Sequence, residues 1–287
     1  MDSIRIRTPA KINLFLRVLG KRPDGYHDLE TLFQAIDLTD ELVISKTRGE
    51  LSLEVPGHPD LETEDNLVLR AVRWIEGETG ERIWARIRLS KHIPTAGGLG
   101  GGSSDAAAVL IGIRELFGLR LDDQSLERGA LSLGADVPFF LMGGTAVGEG
   151  VGEKLTPVNT EHDYGLVLVN PGFSVSTASV FRELDRSLTA ETRQSKLWGL
   201  LSAGVGPERL LENDLQPVTE SLYPRVRQAR ELLSEAGFSQ TLMSGSGPTV
   251  FAIADAGGQE IGRVTGRLPS NWEALFIRPV NRGVIMD

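Results

Sequence analysis

The sequence predicts a globular fold in which strands and helices mix in both halves of the chain, and three observations predict it. Apolar residues make up 40% and charged residues 24% of the total, close to ordinary folded domains and far from disordered or fibrous chains. The 287 residues suit one large or two medium domains, with ample length for a buried core. Runs of alternating polarity and runs of helical spacing recur on both sides of a change in texture near residues 155 to 165.

Taken in order, Lys11 to Val18 alternates, with Ile12, Leu14, Leu16 and Val18 on one face and Lys11, Asn13, Phe15 and Arg17 on the other. Lys11 and Asn13 therefore point the same way, about 6 to 7 Å apart. Arg22-Pro-Asp-Gly25 reads as a turn, and strand-like runs follow at 29–37, 42–46 and 51–55. The spacing predicts a helix over 66–78 and a strand over 82–89. After a glycine-rich stretch, Val109, Leu110, Ile113, Leu116 and Phe117 have helical spacing, which puts a helix start near Ser103. A second helix is expected over 122–133, ending at Gly134. Short strands are expected over 137–142 and 145–149, separated by Gly143-Gly144. Beyond Pro157 come a strand at 164–170, helices near 175–184, 196–201 and 223–236, and strands near 249–254 and 273–279 that flank a helix at 259–268.

The net charge of −9 and the lack of any Lys/Arg-rich run make nucleic acid and anionic membrane poor partners. With no cysteine there is no disulfide, thiolate metal site or cysteine nucleophile. No secretory start and no long apolar run are present, so a cytoplasmic protein is expected. The 33 glycines are in excess for this length, and the excess is local: five of the six residues from Gly97 to Gly102 are glycine.

Glycines let successive backbone N–H groups turn inward, and a helix that follows adds unpaired N–H groups and a positive dipole end, so the natural guest is a phosphate. The bland alternative is a flexible loop with a serine cap. No Gly-Lys-Ser/Thr ends the loop, the third glycine of a Rossmann fingerprint is replaced by Ser103, and no Asp-Phe-Gly or His-Arg-Asp occurs. Histidines 27, 58, 92 and 162 lack zinc-ligand spacing, so no protein metal site is expected.

The stretch Pro94, Thr95, Ala96, Gly97, Gly98, Leu99, Gly100, Gly101, Gly102, Ser103 and Ser104 resembles the nucleotide loop of the GHMP small-molecule kinases. Two further landmarks fall in order, Pro9-Ala-Lys-Ile-Asn-Leu14 and Met243-Ser-Gly-Ser-Gly-Pro-Thr-Val-Phe251, so the likeness spans nearly the whole chain. Arg22-Pro-Asp-Gly-Tyr-His-Asp-Leu29 and Leu133-Gly-Ala-Asp-Val-Pro138 are similar to one branch of that family. Its members phosphorylate, from ATP, the 2-hydroxyl of a cytidine-diphosphate substrate in the non-mevalonate isoprenoid pathway. The resemblance implies an α+β fold of two domains, an N-terminal ATP-binding domain over 1–160 like domain 2 of ribosomal protein S5 and a ferredoxin-like α/β sandwich over 161–287. Thr95-Ala96 departs from the Met-Gly that many members carry there.

The resemblance also implies roles. Asp136 matches the catalytic base, with Lys11 beside it to steady the transferred group. Asn13 is a hydrogen-bonding candidate for substrate or Asp136. Tyr26 and Phe181 match the rings that cover the cytosine, His27 the group that meets its edge, and Thr177 a neighbour. Lys91 could meet nucleotide phosphates, Asn66 the adenine, and the Ser104 hydroxyl a phosphate or Mg²⁺, which is expected with ATP. Asp105 would repel phosphate unless it faces away or a metal intervenes. Glu149 and Glu153 receive no role. The expected partner is the small-molecule substrate alone, with the chain a monomer or homodimer. Two alternatives stand: a mevalonate or homoserine kinase of the same family, and an inactive member that senses a nucleotide or metabolite.

Overall fold

The computed structural model describes residues 2–187 and 194–286. Its frame is one long antiparallel hairpin, β1 (Ser3–Lys21) and β2 (His27–Lys46), paired from Ser3↔Ser45 to Lys21↔His27. Register shifts at Pro9/Ala10, Asn13/Phe15 and Val18/Gly20 bend it. β2 then carries two different neighbours. Its second half pairs β4 (Ala85–Ser90), beside which β3 (Ser52–Glu54) lies parallel, and its first half pairs β5 (Thr145–Gly150), itself paired with β6 (Lys154–Pro157).

Four helices cover this sheet: α1 (Leu67–Thr79), α2 (Gly101–Phe117), α3 (Asp123–Leu133) and α4 (Val137–Met142). Asn66 caps α1 by accepting the N–H of Val68, and Asp122 caps α3 by accepting that of Ser125. α2 buries Val109, Leu110, Ile113 and Leu116 in a core shared with Ile6, Leu42 and Ile44 of the hairpin. That crossing is close, since a Cβ on Gly112 would lie 2.4 Å from Ile6 Cδ1.

The second sheet is antiparallel, β11-β7-β10-β9, built from β7 (Tyr164–Asn170), β9 (Thr241–Met243), β10 (Val250–Asp255) and β11 (Glu273–Ile277). One face, with Val167, Val169, Val250 and Ala252, packs on α5 (Thr177–Ser187) and α8 (Pro224–Glu235) through Val180, Val226, Ala229 and Leu233. The other face, with Leu166, Leu168 and Phe251, packs on Ala10, Ile12 and Leu14 of β1. A strand buried on both sides explains why Gly165 to Val169 carries no polar side chain. α6 (Leu197–Ser202), α7 (Gln216–Leu222) and α9 (Gly262–Thr265) complete the helices, while β8 (Glu212–Asn213) and β12 (Ile285–Met286) return to β1. No described helix is long and apolar enough to cross a membrane.

Residues 137–142 correct the sequence-based expectation, since they form helix α4 and not a strand. Six consecutive apolar residues satisfy either period, and Pro138 in the first turn suits a helix start. The helix expected at 259–268 shrinks to a 3₁₀ turn and the four residues of α9. α7 and the two- and three-residue strands β8, β9 and β12 carry too little pattern to be read.

Candidate active site

Two cavities meet at the glycine loop. One, of about 350 Å³, is lined by Asn66, Lys91, Pro94 to Gly98 and Gly100 to Ser103; the other, of about 310 Å³, holds Lys11, Asn13, Asp136, Thr177 and Phe181. Ala96, Gly98 and Gly100 belong to both linings, so a thin wall of backbone separates them.

The loop's orientation follows from where its carbonyls go. Gly97 O accepts the N–H of Thr249 (3.3 Å), Leu99 O accepts that of Lys11 (2.9 Å), and Gly98 O accepts the Ser244 hydroxyl (2.9 Å). Three consecutive loop carbonyls are thus held by partners within the protein. Gly98 and Gly100 reach this shape at φ of 76° and 73°. Ala96 adopts φ of 52° without being glycine, at a cost of roughly 1 to 2 kcal/mol. Leu99 points into the core, and the loop then opens α2, whose first N–H groups have no partner in the helix. The Ser104 hydroxyl is buried and without a partner.

In the second cavity Lys11 is buried on β1, with Nζ 2.7 Å from Asn13 Oδ1, 3.3 Å from Asp136 Oδ2 and 5.3 Å from the centre of the Phe33 ring. Asn13 Nδ2 donates to Thr31 Oγ1 (2.8 Å), and that hydroxyl donates to Phe15 O (2.6 Å). The ammonium is thus fixed by a buried chain of bonds, whereas Asp136, at the start of α4, keeps a side chain 35% exposed. A buried cation beside a carboxylate that opens to a cavity can orient an incoming hydroxyl, take its proton and offset charge developing on a neighbouring phosphoryl group. Asn13 acts on Lys11 and Thr31, with no direct bond to Asp136.

Lys91 is held under the loop, between Asp40 and Asp105. Burial opposes its charge, but the two carboxylates more than offset this and raise its pKa. Burial pushes the Asp105 carboxyl up to about 7, against the pull of Lys91 and with Asp40 adding to the rise. Asp105 bonds Lys91 and Thr8 and also belongs to the lining of the first cavity. Asn66 lines the first cavity while its side chain caps α1 and donates to Leu61 O.

His27 is buried, its ring stacked on Phe181 at 4.8 Å and its Nε2 2.7 Å from Asp185 Oδ1. Thr177 and Phe181 share one side of α5 and line the second cavity; Tyr26, 66% exposed in the β1–β2 turn, lies outside both linings. Sequence reasoning missed Thr31, Phe33, Asp40, Asp185 and Ser244. Thr31 and Phe33 alternate on β2 and were within reach of a period-two reading, and Phe33 pairs with Asn13 across the hairpin. Asp40 and Ser244 carry no such signal. Glu153 closes the β5–β6 turn by accepting the Val151 N–H (2.6 Å), which is a structural part.

The GHMP kinases N terminal domain matches residues 66–144 and the GHMP kinases C terminal matches 201–269. The chain is 39% identical to the 4-diphosphocytidyl-2-C-methyl-D-erythritol kinase of Geobacter sulfurreducens, over 98% of this chain and 100% of that one. With the enzyme of the same name from Moorella thermoacetica it shares 42%, over 96% and 99%. A crystal structure of 4-(cytidine 5'-diphospho)-2C-methyl-D-erythritol kinase superposes with a TM-score of 0.78 at 34% identity, covering 96% and 98%. A homoserine kinase from Cytophaga hutchinsonii, at 18% identity and a TM-score of 0.75 over 100% and 98%, shares the fold alone.

Proposed function

The chain belongs to the GHMP kinases, within them to the 4-diphosphocytidyl-2-C-methyl-D-erythritol kinases, and from this we propose that it transfers the γ-phosphoryl group of ATP to the 2-hydroxyl of 4-diphosphocytidyl-2-C-methyl-D-erythritol. A single observation carries it: two cavities share a wall of glycine backbone, and the Lys11–Asp136 pair faces the second of them. ATP occupies the first cavity with its phosphates against the loop N–H groups and the start of α2. The acceptor hydroxyl lies by Asp136, which takes its proton as the new O–P bond forms and the bond from Pγ to the β-phosphate bridging oxygen breaks, leaving ADP. Lys11 offsets charge on the transferring group. Mg²⁺ would accompany ATP and neutralise phosphate charge; the Ser104 hydroxyl is unpartnered but lies outside both cavity linings, just behind Ser103, which lines the first.

The cytidine end lies toward Thr177 and Phe181, with His27 at its edge and Tyr26 as the second ring. ADP release should require the diphosphocytidyl substrate and fail with mevalonate or homoserine; no release with the first would end the assignment. The Tyr26→Ala variant should raise KM for the cytidyl substrate by about 5- to 100-fold, the ~1 to 3 kcal/mol of one base–ring stack, and leave KM for ATP within about twofold. Equal changes for both substrates in steady-state kinetics would contradict the division of the two cavities.

A further inference from the structure

Four buried polar side chains under the loop have no part in the transfer step: Thr8, Asp40, Lys91 and Asp105. Burying such groups is costly unless charges are paired and acceptors filled; here one ammonium stands between two carboxylates, and each carboxylate oxygen accepts a hydrogen bond. Asp40 Oδ1 accepts the N–H groups of His92 (2.5 Å) and Ile93 (2.8 Å), and its Oδ2 accepts Lys91 Nζ. The same Nζ donates to Asp105 Oδ2 at 2.7 Å, and Asp105 Oδ1 accepts the Thr8 hydroxyl at 2.9 Å.

Residues 91–93 lead into the glycine loop and Asp105 follows it at the start of the second turn of α2, so these bonds close the loop at its base. Glycine-rich backbone has wide conformational freedom, and a ligand that had to order it would lose affinity to that entropy. We propose that Asp40 is a positioning residue for nucleotide binding: through Lys91 it ties the lead-in of the phosphate loop to Asp105 in the second turn of α2 and presets the loop for the nucleotide's phosphates. Asp40 touches neither substrate, so this goes beyond the transfer step and rests on it only in giving the first cavity to ATP. The same bonds set Lys91 between Asp105 and Asp40, where its charge offsets part of the carboxylate charge that would otherwise oppose phosphate at the start of α2.

Calorimetric titration of ADP and CDP, with steady-state kinetics, tests the role. In Asp40→Ala the affinity for ADP should fall, and KM for ATP rise, by about tenfold or more, while kcat at saturating ATP stays within about threefold and CDP binding is unchanged. Asp40→Asn, whose amide oxygen still accepts both N–H groups but whose NH2 then faces Lys91 Nζ, should recover only part of the loss. Unchanged ADP affinity in a folded Asp40→Ala protein, or equal losses for ADP and CDP, would overturn the assignment. If Asp40→Ala does not fold, Thr8→Val removes one bond of the same set with little change of shape. There an ADP affinity lowered by about two- to fivefold supports the role, and an unchanged one removes it. Wild-type protein that binds ADP but not CDP would instead remove the cytidyl substrate and leave the role of Asp40 standing.

Discussion

The Asp136→Asn variant lowers kcat by about 10² to 10⁴, the range that general acid–base groups contribute, with KM for both substrates changed by no more than about threefold. The substitution keeps the shape and leaves an amide oxygen for Lys11 Nζ, which now sits 3.3 Å from the carboxylate and is also held by Asn13 at 2.7 Å. It removes the capacity to accept a proton. An interaction used only in the transition state shows in kcat and kcat/KM together, so initial-rate kinetics separates this from lost binding. A variant with wild-type kcat takes Asp136 out of the mechanism and makes Lys11 a charge that acts alone. A rise in KM at unchanged kcat would instead make Asp136 a binding group.

How much of this site was legible in the sequence depends on how local its signals are. Lys11 and Asn13 fall on one face of a strand by alternation alone, and β1 delivers both to one cavity. The phosphate loop is legible because it is contiguous and opens a helix. Asp136 by itself was not, since an Asp after Gly-Ala reads as a turn, and its role came through resemblance. The strand expected at 137–142 failed for the related reason that an unbroken apolar run carries no period. What could not be read is contact made across distance in sequence. Ser244 reaches Gly98 where the second sheet's loop meets the glycine loop, and Asp40 reaches residues 91–93 where β2 pairs with β4, and no local pattern encodes either. The charge expectation changes in the same way. For a chain of net charge −9, Lys91 looked like a source of positive potential at the phosphates, yet two carboxylates pair with it. On the proposed reading the positive side of the site draws on backbone N–H groups, the start of α2 and Lys11, while Lys91, which also lines the first cavity, is offset by its two carboxylates.

Gly98→Ala is expected to damage both stability and transfer, because one residue serves the wall between the cavities and the contact between the two sheets' loops. At φ of 76° the backbone suits glycine, and an added Cβ would lie 2.3 Å from Ser244 O and 3.0 Å from Gly247 O. Both obstacles are main-chain atoms, so no side-chain rotation relieves them. A left-handed conformation costs roughly 1 to 2 kcal/mol and overpacking roughly 1 to 3, which together predict about 2 to 5 kcal/mol of lost stability, read from the denaturation midpoint. The forced shift also strains the Ser244 hydroxyl bond to Gly98 O and the Asn13 N–H bond to Ser244 Oγ, and so moves the loop relative to the Lys11–Asp136 pair. A displacement of that kind, near 1 Å, lowers kcat/KM by about 10². Gly257→Ala is the matched control, since nothing lies within 4 Å of its added Cβ and its backbone is not left-handed. If Gly98→Ala keeps wild-type stability and kcat/KM, the loop does not need its contact with residues 244–247, and the shared wall is not what aligns the two substrates.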